Sequence, residues 1–381
     1  MFIFMVSRGV PTPQDPQWGC FEKDQAEALA AIGHKVVVAS VDSRFRFKIR
    51  RHGIRHYHIN GVDYFDSYRI PEAVTNFLGR NTSIAIRKKQ LEKIYRKVVA
   101  LYGKPDVIYG QFFFNSYIAL PLSIRENIPL VTIEHAARFN EDDIDQESLS
   151  QSREIYRHTA ANIAVADSLR ISLAKLFGIQ CHVVHNVFGR EFGYDADLER
   201  RHDKVKFITT GTLTYRKGFD LFIDALAKLN LPKDKWELTI IGAGEEKQHL
   251  QQQIDAQHLT ENIHLVGSKN KQEIARCLNE HDVFVLPSRN ENFSVAVLEA
   301  LACGLPVIAS ICGGIRECID EKNGMLFEVD NCEQLVQCIR YMFEHYSEYD
   351  RAAIAADCKA RFSAEVIAKK LTDIFRQAIN G

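Results

Sequence analysis

Apolar residues along this chain come in short runs separated by polar loops and by longer stretches of helical spacing. Met1–Ser7 is such a run, bounded by Arg8-Gly9 and a loop holding Pro11, Pro13 and Pro16. Phe21–Ile32 has apolar positions at helical spacing and is closed by Gly33, and Lys35–Ser40 is again strand-like. Strand, loop, helix and strand in that order make a βαβ unit, which requires a parallel sheet. Val107–Tyr109, Leu130–Glu134, Asn162–Ala166 and His182–His185 continue the series as strands with helices between them.

The same programme restarts further along. Lys206–Thr210 predicts a strand, Gly211–Gly218 a loop and Phe219–Leu229 a helix. Glu237–Ile241 predicts the next strand, followed by Gly242-Ala243-Gly244 and a helix over Glu245–Gln257. Ile263–Val266, Val283–Leu286 and Val307–Ile308 predict further strands, and Ser363–Ala378 an amphipathic helix. The expected fold is α/β, with two Rossmann-like, doubly wound parallel-sheet domains facing a cleft. The first spans 1–187, a charged linker 188–203, the second 204–360, and residues 361–381 form a helix that caps the second domain or crosses back to the first.

Length agrees with two cores, since 381 residues exceed what one ordinary core accommodates. The net charge of −1 removes any global nucleic-acid signature. The charge is uneven, however. Residues 41–100 hold fourteen Lys and Arg against five Asp and Glu. That region includes the basic, aromatic stretch Arg44–His58 and a helix around Arg87–Lys97. Contact with an anionic membrane surface suits it, and a merely solvated basic face is the competing expectation. Nine cysteines without a C-x-x-C pair imply reduced, intracellular thiols. The first residues do not form a secretory signal, and no stretch reads as a transmembrane helix. A cytoplasmic protein, peripheral at the inner face of the membrane, is therefore expected.

The candidate chemistry concentrates in the second half. Phe293–Ser310 is apolar apart from a single carboxylate, Glu299, and Glu291 lies just before it. Gly304-Leu305-Pro306 divides this stretch, placing Glu299 on a buried helix that feeds a buried strand. A carboxylate there is expensive unless a partner satisfies it. Glu291 falls at a strand end, where ligands of open α/β sheets bind, and the following helix directs free amides and its positive dipole to the same crevice. Gly211–Gly218 is a glycine-bounded loop in which Arg216 and Lys217 can neutralise a diphosphate.

Asn290–Ser310 with Gly313-Gly314, the Lys217-Gly218 loop and the first-domain turns together resemble the family-4 retaining glycosyltransferases of GT-B fold, the bacterial polysaccharide and glycolipid type known as group 1. The resemblance covers almost the whole chain. It implies that Glu291 contacts the transferred sugar, that Glu299 contacts the ribose, and that the backbone of Asn292, Phe293 and Ser294 meets sugar and phosphate. Ser294 stands where the family usually has Gly. Thr212 occupies the family's usual Arg position, which makes the neighbouring Arg216 the substitute beside Lys217. Gly242 resembles the turn near the nucleotide, and Gly267 and Ser268 the segment that reads the base. In the first domain Pro16–Phe21 resembles the loop approaching the diphosphate, with Gly19 permitting close approach. His135, at the end of the run Leu130–Glu134, matches a histidine facing the donor sugar. His185-Asn186 resembles the turn before the linker.

The implied activity is transfer of a hexose-type sugar from a UDP- or GDP-sugar type donor to a glycan or lipid-linked acceptor, with retention and in surface polysaccharide or glycoconjugate biosynthesis. The catalytic set is Glu291, Lys217, His135 and Arg216. No metal or other cofactor is expected, because the acidic run Glu141-Asp142-Asp143-Ile144-Asp145 reads as a loop. Nucleic acid is not an expected partner. The alternatives are a GT-B-fold nucleotide-sugar epimerase, which needs no acceptor, and a non-catalytic sugar-binding protein. A dehydrogenase is disfavoured, since the first βα turn lacks G-x-G-x-x-G.

Overall fold

In the computed structural model the described residues are 1–12, 18–42, 53–68, 80–140, 144–198, 203–229 and 231–381. The chain divides into two compact units, Met1–Asn186 with Ala364–Gly381, and Val187–Ser363.

The first unit is built on β1 (Phe2–Ser7), α1 (Cys20–Ala31), β2 (Lys35–Asp42), β3 (Gly53–Ile59), β4 (Val62–Tyr68) and α2 (Arg80–Tyr102). β5 (Val107–Gln111), α3 (Phe112–Glu126), β6 (Leu130–Glu134), α4 (Gln146–Tyr156), β7 (Ala161–Ala164), α5 (Asp167–Phe177) and β8 (His182–Val183) follow. The strands form one sheet in the order β3-β4-β2-β1-β5-β6-β7-β8. Every pairing is parallel except β3 with β4, a hairpin at the sheet edge. This hairpin departs from the purely parallel expectation. Its outer strand is mostly exposed, so it lacks the apolar run that marks the inner strands.

Part of the basic excess is satisfied here. Lys35, His56 and His58 all converge on Asp63, and Arg55 pairs with Asp66. Residues 43–52, the greater part of the basic stretch, lie outside the described residues. On α2, Lys89, Lys93 and Lys97 stand on one exposed face at a spacing of four. Among the described residues, no helix is long and apolar enough to cross a membrane.

The second unit comprises β9 (Val205–Thr210), α6 (Phe219–Leu229), β10 (Trp236–Ile241), α7 (Lys247–Ala256), β11 (Ile263–Gly267), α8 (Lys271–Glu280) and β12 (Val283–Leu286). It continues with α9 (Val295–Ala302), β13 (Val307–Ser310), β14 (Gly324–Phe327), α10 (Cys332–His345) and α11 (Arg351–Phe362). Its sheet runs β11-β10-β9-β12-β13-β14, all parallel. Phe207, Leu238, Val283 and Val285 pack beneath Phe222, Leu226 and Ile339 as one core. Strand order reverses at β9, whose neighbours are β10 and β12. The corresponding point in the first sheet is β1, between β2 and β5. Those are the two places where loops diverge and leave a crevice.

Two segments join units that the sequence pattern did not decide. Residues 188–198 group with the second unit: Phe192 is buried, and Asn279 donates to the Gly193 carbonyl at 2.8 Å. The final helix, α12 (Ala364–Asn380), belongs to the first unit. It buries Ile367, Leu371, Ile374 and Phe375, and the Phe375 ring meets Tyr109 edge-on at 4.9 Å. The Thr372 hydroxyl, which donates to Ala368, accepts from His34 Nε2 at 2.8 Å. All nine cysteines are free thiols.

Candidate functional site

In the second unit, Gly211–Gly218 leaves the end of β9 and folds back onto the end of β12. Gly218 makes this possible. Its φ is +65°, and a Cβ there would lie 2.0 Å from the Pro287 carbonyl oxygen. The 3-10 turn Tyr215–Lys217 therefore rests on Ser288–Glu291. Lys217 Nζ donates to Glu291 Oε1 at 2.6 Å, and both side chains are nearly buried. Ser288 Oγ donates to the same oxygen at 3.1 Å. Arg216 stays half-exposed, donates to the Asn290 carbonyl at 2.8 Å and stands 3.7 Å from Glu291 Oε2. Burial opposes ionisation of Glu291, but the charges of Lys217 and Arg216 and the Lys217 and Ser288 hydrogen bonds outweigh it and hold the carboxyl below its ordinary value.

Gly313 closes the site from β13. At φ +55°, its absent Cβ leaves room for the Glu291 carbonyl, which would otherwise be 2.0 Å away. Gly314 donates to the Asn292 carbonyl at 2.6 Å. Asn292, Phe293 and Ser294 are buried ahead of α9, and the Phe293 ring packs at 5.7 Å from Phe362. The Phe293 side chain thus belongs to the core. Glu299 is half-buried rather than buried. It shares the least buried face of α9 with Val295 and Ala296, while Val297, Leu298, Ala300 and Leu301 carry the packing. The helical period, not the mean apolarity of the segment, decides its exposure.

Gly242 and Gly267 continue this edge. Gly211 donates to the Ile241 carbonyl and Gly242 to the Gly267 carbonyl, each at 3.0 Å, so three strand ends are laced together. A Cβ on Gly242 would strike the Gly211 oxygen at 1.8 Å. Ser268 is exposed just beyond.

In the first unit a second cluster forms at the ends of β1, β5 and β6. His135 follows β6, and its Nε2 lies 2.9 Å from Gln111 Oε1. Gln111 in turn donates to Gln25, as does the Tyr109 hydroxyl, each at 3.0 Å. Phe112, at φ +65°, takes a conformation that bulky residues rarely adopt. This places its ring 4.7 Å from His135 and beneath the Arg8 guanidinium at 4.0 Å. Arg8 also pairs with the fully buried Glu22 at 2.7 Å. Burial holds His135 well below its ordinary pKa, at about 4, so the ring is neutral at pH 7. Burial pushes Glu134 up to about 7, against the pull of the amides of Ala136, Phe113 and His135, which all donate to it. Gly19 is also at a positive φ, +77°, and a Cβ there would meet the Gly9 oxygen at 2.2 Å. Pro16 and Gln17 lie outside the described residues, as do residues 141–143 of the acidic run. Asp145 caps α4 by accepting from the Ser148 amide at 2.8 Å. Among the described residues, no three His, Cys, Asp or Glu side chains are placed to hold a metal ion.

Two family models match this chain. Residues 193–357 match glycosyl transferases group 1, and residues 23–188 match glycosyltransferase family 4. The chain belongs to the family-4, group 1 glycosyltransferases. It is 30% identical over 185 residues to the amylovoran biosynthesis glycosyltransferase AmsK of Erwinia amylovora, a match spanning 46% of each chain. Its fold superimposes on a sucrose-phosphate synthase from Thermosynechococcus elongatus with a TM-score of 0.80 at 19% identity, covering 100% of this chain and 99% of that one. Anabaena HepE in complex with UDP-glucose gives a TM-score of 0.74 at 17% identity, covering 99% of both chains. The architecture is GT-B.

Each unit of this glycosyltransferase also contains polar residues that the motif reading passed over. Gln111 ends the otherwise apolar strand β5, whereas Gln25 sits among the charged residues of α1 and carries no signal of its internal partner. Arg289 and Asp220 carry no local signal, since their contact depends on a loop meeting the first turn of α6 across 69 residues.

Proposed function

We propose that this glycosyltransferase moves a hexose-type sugar from a nucleotide-diphosphate donor to a glycan or lipid-linked acceptor, with retention and without metal, in surface polysaccharide or glycoconjugate biosynthesis. The observation that carries the reading is the 2.6 Å contact between Lys217 and Glu291. It brings the loop after β9 and the segment after β12 together at the sheet's switch point. Lys217 has three N–H donors and spends one on Glu291, leaving the others for phosphate oxygens. Arg216 adds a half-exposed charge beside it.

Cleavage of the anomeric C–O bond leaves negative charge on the departing diphosphate. Stabilising that charge contributes most to catalysis in such reactions, and Lys217, Arg216 and the amides of residues 292–294 are the groups that would do so. Glu291 would orient the sugar and Glu299 the ribose, with Gly242, Gly267 and Ser268 flanking the nucleoside. In the retaining step the acceptor hydroxyl attacks from the leaving-group side. Its oxygen bonds to the anomeric carbon as the C–O bond to phosphate breaks, and the departing phosphate takes its proton. His135, neutral at pH 7, would meet the sugar through hydrogen bonding rather than charge. The UDP-glucose carried by the HepE structure supports a uridine donor. The lysine face of α2 supports an acceptor held at an anionic membrane surface.

The test is a thermal-stability screen with UDP, GDP and ADP, because a ligand bound only by the native state raises stability. Lys217→Ala should abolish the response to the nucleotide that binds. A folded Lys217→Ala protein with an undiminished response would refute the donor site. Incubation with the donor alone separates transfer from epimerisation.

A further inference from the structure

Arg289 lies between Ser288 and Glu291, yet its side chain bonds to Asp220 and Asp330 rather than to Glu291. The side chain is 14% exposed, and its guanidinium uses four of its five donor positions. Nη1 and Nη2 form a two-pronged pair with Asp220 at 2.8 Å each, on the first turn of α6. Nη1 also donates to the Tyr215 carbonyl at 2.6 Å, and Nε to Asp330 at 2.7 Å, in the turn after β14. The Tyr215 ring covers the guanidinium at 3.8 Å, although the tyrosine itself is 62% exposed. Main-chain bonds reinforce the same contact. The Arg289 amide donates to the Arg216 carbonyl at 2.8 Å, and Arg216 donates in return to the Asn290 carbonyl.

One side chain therefore fastens three segments: the Gly211–Gly218 loop, the start of α6 and the turn holding Asp330. The loop it fastens is the one that carries Lys217 and Arg216. A planar fork can satisfy Asp220 and the Tyr215 carbonyl together, whereas a lysine ammonium cannot reproduce that geometry. We propose that Arg289 is a positioning residue, which holds the Gly211–Gly218 loop in its ligand-ready form so that Lys217 and Arg216 meet a nucleotide diphosphate without rearrangement. This rests on the donor-site reading given above. Preorganisation of this kind acts on affinity by removing the cost of ordering the loop at binding.

The experiment compares wild type, Arg289→Leu, Arg289→Lys and Lys217→Ala at a temperature where each is folded by circular dichroism. Amide hydrogen exchange is read across residues 212–218 of the unliganded protein. Dissociation constants are measured by calorimetry for whichever of UDP, GDP and ADP binds wild type most tightly. Arg289→Leu should speed exchange in the loop at least tenfold and weaken the nucleotide at least tenfold. Arg289→Lys should fall between it and wild type in both readouts. A folded Arg289→Leu protein with loop exchange unchanged, or with affinity within twofold of wild type while Lys217→Ala loses it, overturns the proposal. If Lys217→Ala itself keeps full affinity, the donor-site reading fails instead, and unchanged exchange in Arg289→Leu remains the separate result against the clamp.

Discussion

At the scale of single residues, the two candidate clusters keep ionised and neutral groups in opposite ways. Glu291 is buried but remains a carboxylate because Lys217 and Arg216 face it. Its contribution to stability is present above the ordinary carboxylate value of 4.5 and is lost as pH falls through its depressed folded value. Glu291→Gln keeps the size and removes the charge, and is expected to lower transfer by about 100-fold or more. A kinetic assay with the identified donor checks this.

Glu134 and His135 are adjacent, and burial shifts their pKa values in opposite directions. Glu134, raised to about 7, favours the folded state most below pH 4.5, and this preference is lost as pH rises through 7. His135, lowered to about 4, favours folding above pH 6.5, and this preference is lost as pH falls towards 4. Between 4.5 and 6.5 the folded chain gains one proton and loses one relative to the unfolded chain, so the two slopes cancel. His135→Gln removes one of them. Stability should then decline from pH 4.5 to 7, with a slope approaching about 1.4 kcal/mol per pH unit. Urea midpoints across that range test it, and a flat profile in the variant would contradict the raised Glu134 value.

At the scale of elements, most strands were legible because inner strands of a sheet covered on both faces must be continuously apolar. The restart of the βα pattern at Lys206 was legible for the same reason. The β3–β4 hairpin was not. Gly53–Ile59 is an outer strand whose positions alternate little and whose charges find partners only across the hairpin. The extra strand β14 is short and follows a turn, so its four residues carry too little pattern. At the candidate site, the glycines and the acidic residues announced themselves by spacing. The Gln25–Gln111–His135 chain and the Arg289 fork did not, since each depends on elements far apart in sequence.

Gly218 tests the element-level argument most directly. An alanine there would carry a left-handed backbone and collide with the Pro287 carbonyl. Gly218→Ala is expected to cost more than the roughly 1 kcal/mol of an uncrowded positive-φ site, and to diminish nucleotide-induced stabilisation by moving Lys217. Thermal melts with and without UDP separate the two effects. Leu371 on α12, fully buried, makes the other case. Leu371→Ala should cost about 2–5 kcal/mol, and hydrogen exchange should show the loss in α1, against which α12 packs.

At the scale of the whole molecule, two separate cores and an uneven charge distribution set the behaviour. The proposed donor site belongs to one core, so UDP should raise the unfolding transition of the second unit more than that of the first. Calorimetry of the full chain, with exchange measured by mass spectrometry, assigns the transitions. The α2 face gives a second expectation. Replacing Lys89, Lys93 and Lys97 together with Glu should abolish co-sedimentation with anionic vesicles while leaving nucleotide binding intact, because these exposed side chains take no part in the core. Equal sedimentation of wild type and variant would assign the excess charge to solvation alone.

The placement of α12 also bears on how the protein is made. The first unit combines Met1–Asn186 with Ala364–Gly381, on either side of the second unit in the chain. During synthesis its α1 surface emerges early, but its covering helix arrives only after all of Val187–Ser363 has been added. At about 5–20 residues per second this delay is on the order of ten seconds or more. For that interval the nascent chain presents an uncovered apolar face at Tyr109 and its neighbours, while the second unit is free to fold with every strand in hand. The N-terminal half is therefore the one that must wait on the ribosome, and the one that chaperones have reason to hold.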